Sequence, residues 1–276
     1  MSDDWGVAGF DLDAYLGRLG IPSNTALPPT GQTLTTLYRA HLAAIPFENL
    51  DIMLGRGVRV DLASIEGKLV KARRGGYCFE HGQVFGAALE RVGFTVERLL
   101  ARVWRPEAVS ARTHLTLRVR SDNEKTAWLA DVGFGSGPPG PVPLGGSGPQ
   151  EIDGWTYQVA DCGPRAFQLR ELQGDQWVTL YTVEEATVYP VDIEMSNHFT
   201  STFPGSWFTY QPVLVRRDPD AIRSLLGRVY TVTRRGHQKE RRELNDGEWA
   251  DALGSIFGLA LPEADRERLV ATADGI

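Results

Sequence analysis

Residues 73–81 read Arg-Arg-Gly-Gly-Tyr-Cys-Phe-Glu-His, and they are the most informative segment of this 276-residue chain. Two glycines precede Cys78, and apolar residues at helical spacing follow it as far as Gly93. This pattern predicts that Cys78 lies in the first turn of a helix, where the positive end of the helix dipole favours the nucleophilic thiolate. The alternative is a buried structural cysteine, which the two glycines make less favoured.

A nucleophilic thiol needs a base, and the base needs a group that orients it. His114 lies on the polar face of a predicted strand, and Asp131 lies between Ala130 and Val132 in the next one, where an unpaired carboxylate is costly. Taken alone, His114 fits an ordinary core or surface histidine, and Asp131 fits a turn. Together, a Cys, a His and an Asp at a helix start and on two successive strands predict a hydrolase or acyltransferase triad.

The order of predicted elements indicates an α+β fold. Helices are expected after Asp11, over 34–42, 62–73 and 78–92, over 246–257, and from Pro262 onward. Strands are expected at 95–105, 113–121, 126–132, 155–160, 166–172, 176–183 and 207–215, with a hairpin of 228–234 and 239–244. A glycine- and proline-rich loop is expected between Val132 and Gln150, and a loop of that length is often functional.

Composition excludes several classes of protein. The formal charge of -6 argues against a dedicated nucleic-acid binder, and two cysteines exclude a disulfide-rich secreted domain. No apolar run approaches the roughly 18 residues of a membrane span, and the acidic N-terminus is unlike a signal peptide. We therefore expect a cytoplasmic protein without membrane or nucleic-acid partners. We expect no metal either: Cys78 and His81 have a possible ligand spacing, but Cys162, His198 and His237 are scattered singly.

Five motifs in order show a family resemblance over about residues 10–215. They are Ile45-Pro-Phe-Glu-Asn-Leu-Asp51, Arg74-Gly-Gly-Tyr-Cys-Phe-Glu80, Thr113-His114, Leu129-Ala-Asp-Val-Gly-Phe-Gly135 and Ser201-Thr-Phe-Pro-Gly-Ser-Trp-Phe208. With them the chain resembles the arylamine N-acetyltransferases, and several of the motifs are typical of the actinobacterial branch.

The resemblance implies a three-part molecule with a cysteine-protease-like Cys-His-Asp core. A helical bundle (1–94) would bear the nucleophile Cys78, a β-barrel (95–210) would bear the base His114 and its orienting Asp131, and an α/β lid (211–276) would follow. It also implies a ping-pong reaction, in which acetyl-CoA acetylates Cys78 and an arylamine or arylhydrazine then takes the acetyl group. Such enzymes act in xenobiotic metabolism. The resemblance does not predict the oligomeric state.

The resemblance assigns further site residues. Glu48 and Arg74 would form a structural ion pair near the thiol. Phe134 and Phe208 match aromatic residues that line the acceptor pocket of relatives, and Thr113 and Gly135 match positions that contact the coenzyme.

Three segments raise questions that the resemblance leaves open. Gly82-Gln83 stands where relatives usually have Asn-Gly, and His198-Phe199 stands where an aromatic pair is common. The basic cluster of residues 234–242 fits either a contact with the coenzyme phosphates or a solvated hairpin.

Other functions remain open at this point. An amide synthase of the same family would keep the triad but act on a polyketide aromatic amine, with the acyl group on a carrier protein. A cysteine peptidase or a transglutaminase-like enzyme would share the order of the triad, although the five motifs argue against it. A catalytically silent relative would bind an aromatic ligand or coenzyme A without turnover.

Overall fold

A computed structural model describes residues 3–106, 108–122, 124–146, 148–218, 220–234 and 238–275. The α-helices of this described part are α1 Leu12–Leu19, α2 Gly31–Ala44, α3 Leu50–Met53, α4 Leu62–Ile65, α5 Cys78–Val92, α6 Pro190–Thr202, α7 Asp246–Ser255 and α8 Glu263–Val270. Its strands are β1 Phe47–Glu48, β2 Thr95–Val103, β3 Arg112–Ser121, β4 Glu124–Ala130, β5 Val142–Leu144, β6 Gln150–Ile152, β7 Trp155–Gly163, β8 Ala166–Gln173, β9 Gln176–Glu184, β10 Val213–Arg217, β11 Ala221–Leu226, β12 Val229–Arg234 and β13 Glu240–Glu243. Short 3-10 helices cover Val7–Gly9 and Trp207–Thr209, and a π-helix covers Glu66–Lys71.

The N-terminal helices pack around one apolar core. Asp11 caps α1 by accepting a hydrogen bond from the Ala14 N–H, and Thr30 caps α2 in the same way. Helix α5 ends at Gly93, whose positive φ of 109° suits a glycine. The apolar faces of these helices meet around fully buried Leu34 and Phe85, so α5 lies in the centre of the molecule.

The larger sheet is antiparallel and forms a nearly closed barrel, with strand order β5-β4-β3-β2-β9-β8-β7-β6. Helix α5 packs against β2 and β3 of this barrel. Gly82 makes the approach possible, because a Cβ there would lie 2.7 Å from Cδ2 of Leu115 on β3. Gly82 therefore brings α5 close to the strand that carries His114.

The smaller sheet joins distant parts of the chain, with strand order β1-β10-β11-β12-β13. Strand β1 pairs with β10, so that Phe47 faces Val215 and Glu48 faces Leu214. Helices α7 and α8 bury Trp249 and Phe257 against this sheet. The predicted lid therefore shares a sheet with β1, a segment of the predicted helical bundle.

The α+β fold is confirmed, and so are the helices that begin after Asp11 and at Cys78. The helix predicted over 62–73 is present over residues 62–71, where α4 continues directly into the π-helix. The strand predicted over 207–215 is wrong in its first half, which is a 3-10 helix. The boundaries at residues 94 and 210 stay predictions.

The structure also corrects the predicted ends of several strands and helices. Asp131 lies just after β4 rather than within it, and the loop predicted from Val132 to Gln150 contains the short strand β5. Asn245 rather than Asp246 caps α7. Helix α6 was not predicted, because its hydrophobic residues do not gather on one face.

Candidate active site

Cys78 is the first residue of α5 and is almost completely buried. Glu80 shapes the helix start, since its Oε2 accepts a hydrogen bond of 3.0 Å from the Tyr77 N–H. Gly76 leaves room for this carboxylate: a Cβ there would lie 2.7 Å from Glu80 Oε2. The thiol Sγ lies 3.6 Å from the Thr113 carbonyl oxygen and so points toward β3.

The imidazole of His114 pairs with a buried carboxylate and lines the same cleft as the thiol. Its Nε2 lies 2.6 Å from Oδ2 of Asp131, and both side chains are buried. Burial alone would lower the pKa of His114, but Asp131 and Cys78 raise it to about 10. The site therefore favours an imidazolium at neutral pH.

The loop after β4 holds Asp131 in place. Asp131 Oδ1 accepts a hydrogen bond of 3.1 Å from the Gly133 N–H. The hydroxyl of Tyr38 donates to the carbonyl oxygens of Asp131 and Pro138, at 2.6 and 3.0 Å. Gly133 also allows the loop to touch α5, because a Cβ there would lie 3.0 Å from the Cα of Cys78. One tyrosine of α2 thus fixes both ends of this loop.

A cleft of about 420 Å³ opens onto the thiol. Its lining includes Cys78 and His114 together with the predicted residues Thr113, Phe134 and Phe208. Gly135 has another role in the packing, since its φ is 76° and its missing side chain would face Val215 and Phe47. The predicted coenzyme contact of Gly135 stays a prediction.

A buried network of charges lies near the start of α5. Arg74 Nη2 lies 2.7 Å from Glu48 Oε1 and 3.3 Å from Asp51 Oδ1. Lys68 Nζ joins Asp51 to Glu80, at 2.8 Å from each. Burial raises the pKa of Glu80 to about 7, although Lys68 opposes the shift. Removing one member would leave an uncompensated buried charge, which is strongly destabilising.

His81 lies one turn after Cys78 on α5, and its side chain is buried. Its Nδ1 lies 2.7 Å from His41 Nε2, and His41 Nδ1 lies 2.7 Å from the Tyr15 hydroxyl. His81 Nε2 lies 3.3 Å from the Pro46 carbonyl oxygen. All three side chains are buried, and one set of neutral tautomers satisfies the whole chain of hydrogen bonds.

A second groove, of about 990 Å³, runs between the barrel and the smaller sheet. Ser136 and Trp207 line both this groove and the cleft at Cys78. Lys239 and Arg241, from the predicted basic cluster, line its far part. Residues 235–237 of that cluster lie outside the described residues.

Several contacts of the site were not predicted. The ring of Tyr181 lies 5.0 Å from that of His114 and 5.4 Å from that of Phe134. Phe203 and Trp207 line the cleft as well. Gln83 does not replace a polar group at the thiol, because its Oε1 accepts from Arg98 Nε at 3.1 Å. The strand that carries Tyr181 can be predicted from the sequence, but the residues that Tyr181 contacts cannot.

The described residues contain no group of three or more His, Cys, Asp or Glu side chains placed to hold a metal ion. None of the helices in the same residues has the length and apolar character needed to cross a membrane.

Comparisons with known proteins agree with this geometry. The N-acetyltransferase family profile matches residues 30–266. The arylamine N-acetyltransferase / N-hydroxyarylamine O-acetyltransferase of Salmonella typhimurium is 35% identical over 239 residues, which are 85% of this chain and 83% of the relative. The crystal structure of Nocardia farcinica arylamine N-acetyltransferase has a TM-score of 0.89 and 38% identity, covering 96% of this chain and 95% of that one. The Mycobacterium marinum arylamine N-acetyltransferase in complex with CoA has a TM-score of 0.88 and 35% identity, covering 96% and 98%.

Proposed function

Because the chain belongs to the arylamine N-acetyltransferase family, we propose that it moves the acetyl group of acetyl-CoA to the nitrogen of an arylamine or arylhydrazine through an acetyl thioester on Cys78. The observation that carries this proposal is the buried imidazole of His114, which lies 2.6 Å from Asp131 Oδ2 and lines the same cleft as Cys78. A thiol, a base and an orienting carboxylate at one site are the parts that a covalent acyl transfer needs.

In the first half-reaction the Cys78 thiolate attacks the carbonyl carbon of the acetyl thioester. The carbon–sulfur bond to coenzyme A then breaks, and the departing thiolate takes the proton of the His114 imidazolium. Asp131 holds the imidazole and stabilises its charge, which agrees with the raised pKa of His114. The products are acetyl-Cys78 and free coenzyme A.

In the second half-reaction the amine nitrogen attacks the acetyl carbon of acetyl-Cys78. His114, now neutral, takes a proton from the nitrogen as the carbon–sulfur bond breaks. The amide leaves, and the thiolate and imidazolium are restored. The rings of Phe134 and Phe208, which both line the cleft, give it flat apolar walls that suit an aryl group.

The coenzyme is proposed to extend from the cleft into the connected groove. The M. marinum relative was solved in complex with CoA. In this chain Thr113 lines the cleft, and Lys239 and Arg241 line the far part of the groove. Basic side chains there suit the phosphates of a coenzyme.

The test is to weigh the intact protein after incubation with acetyl-CoA and no amine, beside Cys78→Ala. The proposal predicts one added acetyl group on the wild type only, and its removal when an arylamine is added. No adduct together with rapid alkylation of Cys78 would indicate another acyl donor, as in an amide synthase. No adduct together with a slowly alkylated thiol would overturn the assignment of Cys78 as nucleophile.

A further inference from the structure

Two exposed aromatic rings stand at the mouth of the cleft. Phe199 lies near the end of α6 and Phe203 caps it; their rings are 4.6 Å apart and nearly parallel, at 15°. Their exposed fractions are 40% and 46%, although both line the cavity that contains Cys78. Exposed aromatic groups beside a cleft are typical of a surface that binds a ligand.

The backbone holds this pair in one arrangement. Phe203 donates its N–H to the Phe199 carbonyl oxygen at 2.9 Å, and its own carbonyl oxygen accepts from Ser206 N–H at 2.8 Å. Its ring lies directly against Gly205, where a Cβ would be 2.5 Å from Phe203 Cε1. Gly205 thus lets the ring lie in this position, and the pair forms a flat surface before any ligand arrives.

The cleft is larger than one aromatic ring requires. An apolar cavity of about 150 Å³ holds one benzene molecule, whereas this cavity has about 420 Å³. Phe134 stands beside the reacting centre, with its ring 5.1 Å from that of His114. A ring placed there leaves space toward the mouth, where Phe199 and Phe203 lie.

We propose that the Phe199–Phe203 pair binds the distal ring of the acceptor and so makes the enzyme selective for arylamines that carry a second aromatic ring. This inference rests on the proposed function, because the amino group of such a substrate must reach acetyl-Cys78. The coenzyme is a poorer occupant of the pair. Its phosphates need cations, and although Arg105 lines the cleft, the two basic side chains Lys239 and Arg241 line the groove beyond Trp207.

The experiment compares the second half-reaction for three amines: 4-aminobiphenyl, 4-cyclohexylaniline and 4-methylaniline. The first two have distal groups of similar size, but only the biphenyl group is flat and aromatic. Acetyl-Cys78 is first formed with acetyl-CoA and measured by intact mass, so that a failure of the proposed function is seen before any amine is added. The rate of deacetylation is then followed at several amine concentrations.

For the wild type we expect kcat/KM to follow the order biphenyl, cyclohexyl, methyl. Phe203→Ala should reduce the advantage of 4-aminobiphenyl over 4-methylaniline by about three- to tenfold, the size of one aromatic contact. Phe203→Tyr should keep the advantage, since it keeps the ring. Gly205→Ala should reduce it while both rings remain, because the added methyl group displaces the Phe203 ring.

Met195→Ala is the matched control, since Met195 is an exposed apolar residue of the same helix outside the cleft lining. It should leave the order of the amines and their ratios unchanged. Equal kcat/KM values for the three amines in the wild type would overturn the proposal. It would also be overturned if Phe203→Ala slowed acetylation by acetyl-CoA and left the amine ratios unchanged, because the pair would then serve the coenzyme.

Discussion

At the scale of single residues, the chemistry depends on how Asp131 holds the imidazole. The carboxylate has two tasks, because Oδ2 contacts His114 and Oδ1 accepts from the Gly133 N–H. An amide in its place can keep the second contact, but it cannot supply the negative charge that raises the pKa of His114 to about 10.

We therefore expect Asp131→Asn to fold but to form acetyl-Cys78 about 10⁴-fold more slowly, by analogy with the corresponding change in serine protease triads. The pKa of His114 should fall toward its ordinary value of about 6.5, so that the imidazolium is lost near neutral pH. Rapid-quench mass spectrometry with acetyl-CoA measures the rate, and thermal unfolding checks the fold. Asp175→Asn, at an exposed position in the turn between β8 and β9, should change neither. A rate within tenfold of the wild type would remove Asp131 from the proposed triad.

At the scale of elements, two histidines join helix α2 to helix α5 inside the core. Burial lowers the pKa of His81 to about 4 and lowers that of His41 as well. After burial, the neighbouring His81 is the next largest cause that lowers the pKa of His41. In an unfolded chain both would titrate near pH 6.5. Between these values the unfolded chain binds protons that the folded chain does not.

The free energy of unfolding should therefore be unaffected by these groups above pH 6.5 and should fall as the pH decreases toward 4. A shift of this size in His81 corresponds to about 3 kcal/mol. Urea unfolding at a series of pH values measures it. His81→Gln should flatten this slope, whereas His198→Gln, at an exposed position, should leave it unchanged. If the free energy of unfolding depended on pH equally in His81→Gln and the wild type, His81 would not be binding a proton on unfolding.

At the scale of the whole molecule, Asn49 connects the N-terminal segment to residues 208–213. Its buried amide donates to the carbonyl oxygens of Phe208 and Gln211, at 2.9 and 3.0 Å, and its Oδ1 accepts from the Val213 N–H at 2.7 Å. One side chain thus fixes the start of β10 and the position of Phe208 in the cleft.

Asn49→Ala would leave these backbone groups without their partner, so we expect stability to fall by about 3 kcal/mol. The KM for an arylamine should rise, because Phe208 is no longer held. Urea unfolding and steady-state kinetics test the two effects. Asn245→Ala removes the cap of α7 far from the cleft, and should cost about 1 kcal/mol with no change in KM. A KM unchanged in Asn49→Ala would show that Phe208 is held by other contacts.

The predictable parts of this molecule are those with a local pattern. The helix that begins at Cys78 follows from two glycines and an apolar stripe, and the strands follow from alternation. The environment of His114 could not be predicted in full, because Tyr181 approaches it from another strand. The Phe203 ring position depends on Gly205, yet nothing in the sequence says which way the ring turns. The π-helix over Glu66–Lys71 keeps a helix-like pattern, so its different hydrogen bonding was not visible.

The pairing of β1 with β10 has a consequence for how the chain can be divided. Two residues separate strand β1 from the end of α2. Glu48 of this strand forms an ion pair with Arg74, which lies four residues before Cys78. A protein truncated before residue 213 would lose the partner of β1 and expose a bare strand edge beside the Glu48–Arg74 pair. The third part of the chain therefore cannot be exchanged between relatives as an independent module: a chimera needs a matching 47–48 segment as well.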